Sequence, residues 1–124
     1  MQLQPSPHRF RVETRQEDGV ALLCLFGALD MFAIDHFETK LKAVEVRTRR
    51  VILDLRGLTS LESSGLGVIV RAQLRSRVDG WHLAVVRGAP KVDAVFSKSP
   101  LARGVRMVKS PDGVFPPRSE PVAG

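Results

Sequence analysis

Two adjacent serines followed by two glycines, Ser63-Ser64-Gly65-Leu66-Gly67, form the stretch of this chain best equipped for chemistry. A serine hydroxyl can serve as a nucleophile, a phosphate acceptor or a helix cap. Nucleophilic attack needs a base within hydrogen-bond reach, itself oriented by a third group. The three histidines are His8 near the N-terminus, His36 on an expected helix and His82 on an expected strand. Only His36 falls near the serines, and nothing else completes a triad. The serines precede the glycines, so the Gly-x-Ser-x-Gly elbow is absent. No Gly-Lys-[Ser/Thr] marks a phosphate-binding loop either. The chain therefore reads as a non-enzyme. Asp30 and Asp54 invite a paired-carboxylate or magnesium reading, but Asp54 within Val51-Ile52-Leu53-Asp54-Leu55 reads as a strand-end residue bonding loop amides. No metal site is expected. Cys24, the single cysteine, permits no internal disulfide or Cys-paired zinc site. Within Leu22-Leu23-Cys24-Leu25 it reads as a small buried hydrophobe.

The serines need a rigid support, and the pattern around them supplies one. Phe10, Val12 and Thr14 alternate with charged residues as in a half-buried strand. Asp18-Gly19 makes a two-residue turn in which both positions tolerate positive φ. Val20 to Phe26 is apolar throughout, as in a strand covered on both faces. Gly27-Ala28-Leu29-Asp30 ends it, and Asp30 caps the next helix. Ile34, Phe37, Leu41 and Val44 give that helix one apolar stripe. Val51 to Leu55 reads as a central strand. The segment Leu61 to Gly67 reads as the loop that follows it, where open α/β sheets place their sites. Ser63 or Ser64 would cap a second helix over roughly Ser64 to Val78, with Leu66, Ile69, Val70 and Leu74 as its stripe. Gly65 and Gly67 in its first turn each weaken the helix by up to roughly 1 kcal/mol relative to Ala. Local propensity does not explain them, whereas small residues let another protein approach the hydroxyls. Asp79-Gly80 stops this helix, and Trp81 to Val86 is a strand. Pro90 opens a short third helix carrying Val92, Val95 and Phe96, and Val105 to Val108 is a last strand.

At 124 residues the chain fits one domain with a core of its own. No apolar run approaches the roughly 18 residues of a membrane helix, and the N-terminus lacks the apolar core of a signal peptide. Both point to a cytoplasmic protein without membrane contact. Nineteen Lys and Arg against thirteen Asp and Glu raise the question of nucleic acid. Single-strand binders interleave aromatics with basic residues. Here there is no Tyr and the six Phe are scattered, so direct nucleic-acid binding is not expected. Arg71, Arg75 and Arg77 instead read as a solvated helix face available to a protein partner. Residues 110–124, with four prolines and few large apolar side chains, read as a flexible C-terminal tail, and 1–8 as a shorter N-terminal one. Residues 9–109 are then a single α/β domain.

The run Asp54-Leu55-Arg56-Gly57-Leu58-Thr59-Ser60-Leu61-Glu62-Ser63-Ser64-Gly65-Leu66-Gly67-Val68 resembles the signature of the STAS domain family, specifically the bacterial anti-sigma-factor antagonists. Gly27-Ala28-Leu29-Asp30 is similar to the family's Gly-x-Leu-Asp before its first helix. The strand after Gly80-Trp81 and the Pro90-Val92-Phe96 helix fall in the expected places, so the resemblance covers about residues 9–109. It implies a STAS-like mixed β-sheet packed against crossover helices.

The resemblance also implies a partner switch. In such proteins the unphosphorylated form binds an anti-sigma factor that is a serine kinase, and so frees the sigma factor. The kinase, which supplies ATP and magnesium, phosphorylates the first serine of the pair, here Ser63. A phosphoserine phosphatase resets the cycle. By the same resemblance Asp30, Glu62, Ser64, Gly65 and Leu66 contribute to partner contact around Ser63, and the protein works as a monomer or weak dimer without a cofactor of its own. The family most often has Asp just before the acceptor, and this chain keeps the charge on the longer Glu62. The alternative is a STAS module of a signalling scaffold or accessory protein without a phosphorylation cycle.

Overall fold

The computed structural model describes residues 8–116. Strands β1 (Arg11–Glu17) and β2 (Val20–Leu29) form an antiparallel hairpin whose turn holds Asp18 and Gly19 at φ 51° and 77°. Both values lie in the left-handed region that a tight hairpin turn demands. A short 3₁₀ turn (Met31–Ala33) leads into α1 (Ile34–Glu45), followed by β3 (Arg50–Leu61), α2 (Ser63–Asp79), β4 (His82–Val86) and α3 (Pro90–Ser97). A second 3₁₀ turn (Pro100–Gly104) precedes β5 (Met107–Val108). The five strands lie in the order β1-β2-β3-β4-β5, with every pair after the hairpin parallel. This is the mixed sheet with crossover helices expected from the sequence.

Strand order and chain order coincide, and that has a consequence. Right-handed crossovers stepping always in the same direction put every helix on the same face of the sheet. The main core accordingly joins Leu23, Leu25, Leu53 and Val85 of the strands to Phe37, Ile69 and Phe96 of the three helices. The strand residues between them point to the other face, where Ile52, Ala84 and Val86 are buried with Val114. β2 alternates half-buried and buried residues along its whole length, so it is covered fully on one face only. The reading of Val20 to Phe26 as equally buried on both faces is corrected accordingly, and Cys24 lies on the half-buried face.

Residues 111–116 complete that second face. Val114 is buried with Ile52, Ala84 and Val86, and Phe115, like Val20, Leu22 and Val108, packs against that cluster. Arg50 Nη1 donates to the Pro116 carbonyl at 3.1 Å and Arg106 Nη2 to that of Val114 at 3.2 Å. Both guanidiniums also lie over the Phe115 ring, 5.8 and 5.7 Å from its centroid. The reading of 110–124 as a flexible tail is thus corrected for 111–116, which pack on the sheet. The rest of that tail, 117–124, and residues 1–7 lie outside the described residues.

α2 is rotated relative to the stripe read from its sequence. Its buried face is Gly65, Leu66, Val68, Ile69, Ala72 and Ser76, whereas Val70 is half-buried and Leu74 is 55% exposed. The small side chains of Ala72 and Ser76 bring the helix close to the sheet, and this turns Leu74 outward.

Candidate functional site

β3 runs through Leu61, six residues past the Leu55 at which the strand was expected to end, because Leu58 and Leu61 are buried and pair with Gly27 and Leu29 of β2. The expected loop from Leu61 to Gly67 therefore shrinks to Glu62. Its extended backbone, φ −91° and ψ 162°, occupies the N-cap position. The Glu62 N–H donates to the Leu29 carbonyl at 3.0 Å and its own carbonyl accepts from Leu66 at 3.1 Å, so the strand end and the helix start are tied together. Ser63 and Ser64 are the first two helical residues, and neither is the cap that the sequence suggested. Glu62, Ser63 and Ser64 are exposed, and neither serine hydroxyl is hydrogen-bonded among the described residues. Unengaged hydroxyls on the first turn of a 17-residue helix are held firmly yet remain open to a reagent.

The two glycines have different reasons. A Cβ on Gly65 would lie 2.6 Å from Leu29 Cγ and 3.0 Å from Leu61 Cδ1. Gly65 is buried, and it exists to let α2 sit against β2 and β3. The reading that it admits a partner is corrected for this residue. A Cβ on Gly67 would meet only Arg71 Nη1, at 3.2 Å. Nothing inside the protein demands that glycine, and it lines a groove of about 600 Å³ that starts at Ser63 and runs between α2 and α3. Val70, Leu74, Val95 and Leu101 make the groove apolar, with Arg71 and Lys98 in its lining. Leu101, 76% exposed, and Leu74 are the functional candidates missed from sequence. Leu74 was absorbed into a core stripe, and Leu101 stands in a Ser-Pro-Leu-Ala stretch without periodicity. Leu66 also lines the groove but is buried in the core, so it positions the site from beneath.

Asp30 stands one residue past Leu29, whose carbonyl accepts from the Glu62 N–H. Its Oδ1 accepts from the Phe32 N–H at 3.0 Å, so it caps the 3₁₀ turn that precedes α1 and not α1 itself, whose N-cap is Ala33. Met31 and Phe32 beside it are exposed, Phe32 by 89%, and extend no core. His36 is exposed and meets Phe10 edge-on at 5.9 Å, and His8 Nδ1 lies 3.2 Å from Thr59 Oγ1. No histidine is hydrogen-bonded to Ser63 or Ser64 among the described residues.

Asp54 is not brought to Asp30. It faces Cys24 in the β2–β3 register, and Leu29, next to Asp30, pairs seven residues further along at Leu61. Asp54 also lies within β3, not at its end. Its carboxylate accepts from the Arg56 backbone N–H at 3.0 Å and from Arg56 Nη2 at 2.7 Å. That side-chain hydrogen bond, followed by the charge attraction, raises the Arg56 pKa above its ordinary value. Burial first, and then the Asp54 charge, also raise the Cys24 thiol. Among the described residues no cluster of three or more His, Cys, Asp or Glu is placed to hold a metal.

The α2 arginines are not one solvated face. Arg75 makes a bidentate pair with Glu45 of α1, Nε and Nη2 at 2.9 and 3.1 Å. Arg71 reaches Glu38 at 3.7 Å. Arg49 donates to the Asp79 carbonyl and Arg50 to that of Pro116, so these two arginines join distant segments of the chain. No helix among the described residues is long and apolar enough to cross a membrane.

Comparison with known proteins bears on this arrangement. The family model for the STAS domain matches residues 11–113. The structure of the anti-sigma factor antagonist SpoIIAA in its unphosphorylated form is similar with a TM-score of 0.63 at 22% identity, over 81% of this chain and 88% of that one. For an anti-sigma factor antagonist from Mycobacterium paratuberculosis the TM-score is 0.74 at 18% identity, over 88% of this chain and 93% of that one. The phosphorylated form of SpoIIAA, a Bacillus cell fate determinant, gives 0.61 at 20% identity, over 81% and 91%. At such identities the likeness is one of fold.

Proposed function

The chain belongs to the STAS domain family, and on that premise we propose that it is an anti-sigma-factor antagonist whose unphosphorylated form binds a serine-kinase anti-sigma factor, frees the sigma factor, and is switched off by phosphorylation at Ser63. The observation that carries the reading is the placement of Ser63: exposed, unengaged, on the first turn of a rigid helix and at the mouth of an apolar groove. Ser64 is equally exposed but does not line the groove.

The physical switch follows from charge. A phosphoserine carries about −1.5 to −2 charges. At the N-terminus of α2 the helix dipole tolerates that charge, so the domain stays folded. The surface changes instead. An apolar partner segment seated along Leu74 and Leu101 would have to desolvate the phosphate, which stands beside the exposed Glu62 carboxylate. In the unmodified protein, Arg71 and Lys98 favour an acidic rim on the partner. Asp30, Glu62, Ser64, Gly65 and Leu66 surround or support Ser63 in this scheme, and the kinase brings ATP and magnesium. A phosphatase restores the hydroxyl. The reading makes the chain a cytoplasmic binding module, a monomer or weak dimer, and not an enzyme.

The test is reconstitution with candidate kinase anti-sigma factors and Mg-ATP. Mass spectrometry should place one phosphate on Ser63. Ser63→Ala should bind and resist release, and Ser63→Asp should bind at least about tenfold more weakly, the scale of an unpaired interfacial charge. Phosphate on Ser64 with Ser63 untouched, or equal affinity of wild type and Ser63→Asp, refutes the assignment.

A further inference from the structure

The first charged side chain of α2, Arg71, reaches back toward the start of its helix. Its guanidinium lies over Gly67, with Nη1 3.2 Å from where a Cβ on that residue would stand. Helical side chains lean toward the N-terminus, here the end that carries Ser63. Ser63 and Gly67 are four residues apart, so their Cβ positions are neighbours on the helix surface, about 5–6 Å from each other. Laid end to end, the two distances put Nη1 within about 9 Å of Ser63 Cβ. Nothing fixes the guanidinium there firmly. Arg71 is exposed, and its Nη2 stands 3.7 Å from Glu38 Oε2. Glu38 also holds Lys42 at 3.4 Å, so its carboxylate keeps a partner if Arg71 moves. Arg75, one turn further on, differs: its bidentate pair with Glu45 at 2.9 and 3.1 Å commits it to α1. Lys98, the other cation lining the groove, stands on the facing element, at the C-terminal end of α3.

We propose that Arg71 is the receptor for the Ser63 phosphate: on modification its guanidinium leaves Glu38, swings toward the start of α2 and pairs with the phosphate oxygens. This role presupposes Ser63 as the phosphoacceptor. A phosphate sets its charged oxygens out beyond Oγ, and rotation about the single bonds of Arg71 closes the remaining gap. Guanidinium and phosphate form paired, charge-assisted hydrogen bonds, which the carboxylate at 3.7 Å does not provide. The phosphate also carries more charge than Glu38 at neutral pH. The groove then changes twice. It gains an anion at Ser63, and it loses the Arg71 cation that favours an acidic rim on the partner. Ser63→Asp supplies a single charge on a shorter arm, so it mimics the phosphate incompletely.

The test is a ³¹P NMR titration of the full-length protein with phosphoserine installed at position 63 during translation, so that neither kinase nor partner is needed. A cation held against the phosphate favours its doubly charged form and lowers its second pKa, ordinarily about 6. At an exposed site the expected difference is about half a unit, with wild type below Arg71→Gln. The α2 dipole and the Glu62 carboxylate act on both proteins, so the difference isolates Arg71. Arg71→Gln gives up one long, exposed ion pair and should keep its fold, which its Tm checks. Lys98→Gln removes the facing cation and should leave the phosphate near its wild-type pKa. The same pKa in wild type and Arg71→Gln overturns the proposal. So does a rise in Lys98→Gln as large as in Arg71→Gln, because a diffuse positive field and not a pair then acts on the phosphate. A negative titration leaves the partner switch standing, whereas failure of any kinase to modify Ser63 sinks the switch and leaves the titration result intact.

Discussion

Alanine at Gly65 and at Gly67 should change stability in opposite directions, although the residues stand two apart on the same helix. Intrinsic propensity favours both substitutions, by about 0.5–1 kcal/mol in a helix interior. At Gly67 nothing opposes that gain, because the new methyl meets only Arg71 Nη1, at 3.2 Å, the far end of a flexible side chain. At Gly65 the methyl would lie 2.6 Å from Leu29 Cγ and 3.0 Å from both Leu29 Cδ2 and Leu61 Cδ1. Carbon atoms prefer roughly 3.5–4.0 Å, and both leucines are buried. Overpacking a core typically costs about 1–3 kcal/mol, which exceeds the propensity gain. Gly65→Ala should therefore be destabilised by about 1 kcal/mol and Gly67→Ala stabilised by somewhat less. For a domain of this size 1 kcal/mol is roughly 3–6 °C in Tm, so the variants should melt on either side of wild type in a calorimetric scan. If Gly65→Ala melts at or above wild type, α2 does not sit as close to β2 as described. The pair also separates stability from recognition: Gly67→Ala, though more stable, puts a methyl in the groove and should weaken anti-sigma-factor binding.

Val114→Ala removes two buried carbons from beneath the sheet and should cost about 1.5 kcal/mol, read as a Tm drop of several degrees, whereas Val46→Ala at an 85% exposed position should leave Tm nearly unchanged. Arg75→Ala strands the buried end of a bidentate pair with Glu45 and should cost about 1–2 kcal/mol in urea unfolding. Arg71→Ala breaks a longer, more exposed contact and should cost less than about 0.5 kcal/mol. Cys24 has its thiol pKa raised from the ordinary 9.0, so thiolate-dependent alkylation in the folded protein should lag a free thiol at every pH up to that value. The folded state then holds its proton more tightly than the unfolded one. Its contribution to stability is complete below the ordinary thiol pKa and falls as pH rises through the higher folded value. Cys24→Ser should flatten that decline in equilibrium unfolding between neutral and alkaline pH, and an unchanged slope would refute the shift.

Much of this architecture is written in local pattern. Asp18-Gly19 specifies the hairpin turn because it tolerates positive φ, and the Ile34-Phe37-Leu41-Val44 spacing specifies α1 because it draws one stripe at helical period. The Asp54 to Val68 run carries its family resemblance in residue identities alone, and the match over 11–113 agrees with it. Each of these is decided by neighbours within a few positions. What tertiary structure decided depends on surfaces contributed by distant segments. The rotation of α2 that sends Leu74 into a groove follows from how closely Ala72 and Ser76 approach the sheet. Gly65 is required by Leu29, thirty-six residues earlier, and not by anything in its own turn. Val114 and Phe115 show no periodicity among prolines and glycines, so composition alone marks their segment as unfolded. They fold because three same-handed crossovers leave one face of the sheet without a helix, and that face exists only once β2, β3, β4 and β5 lie side by side.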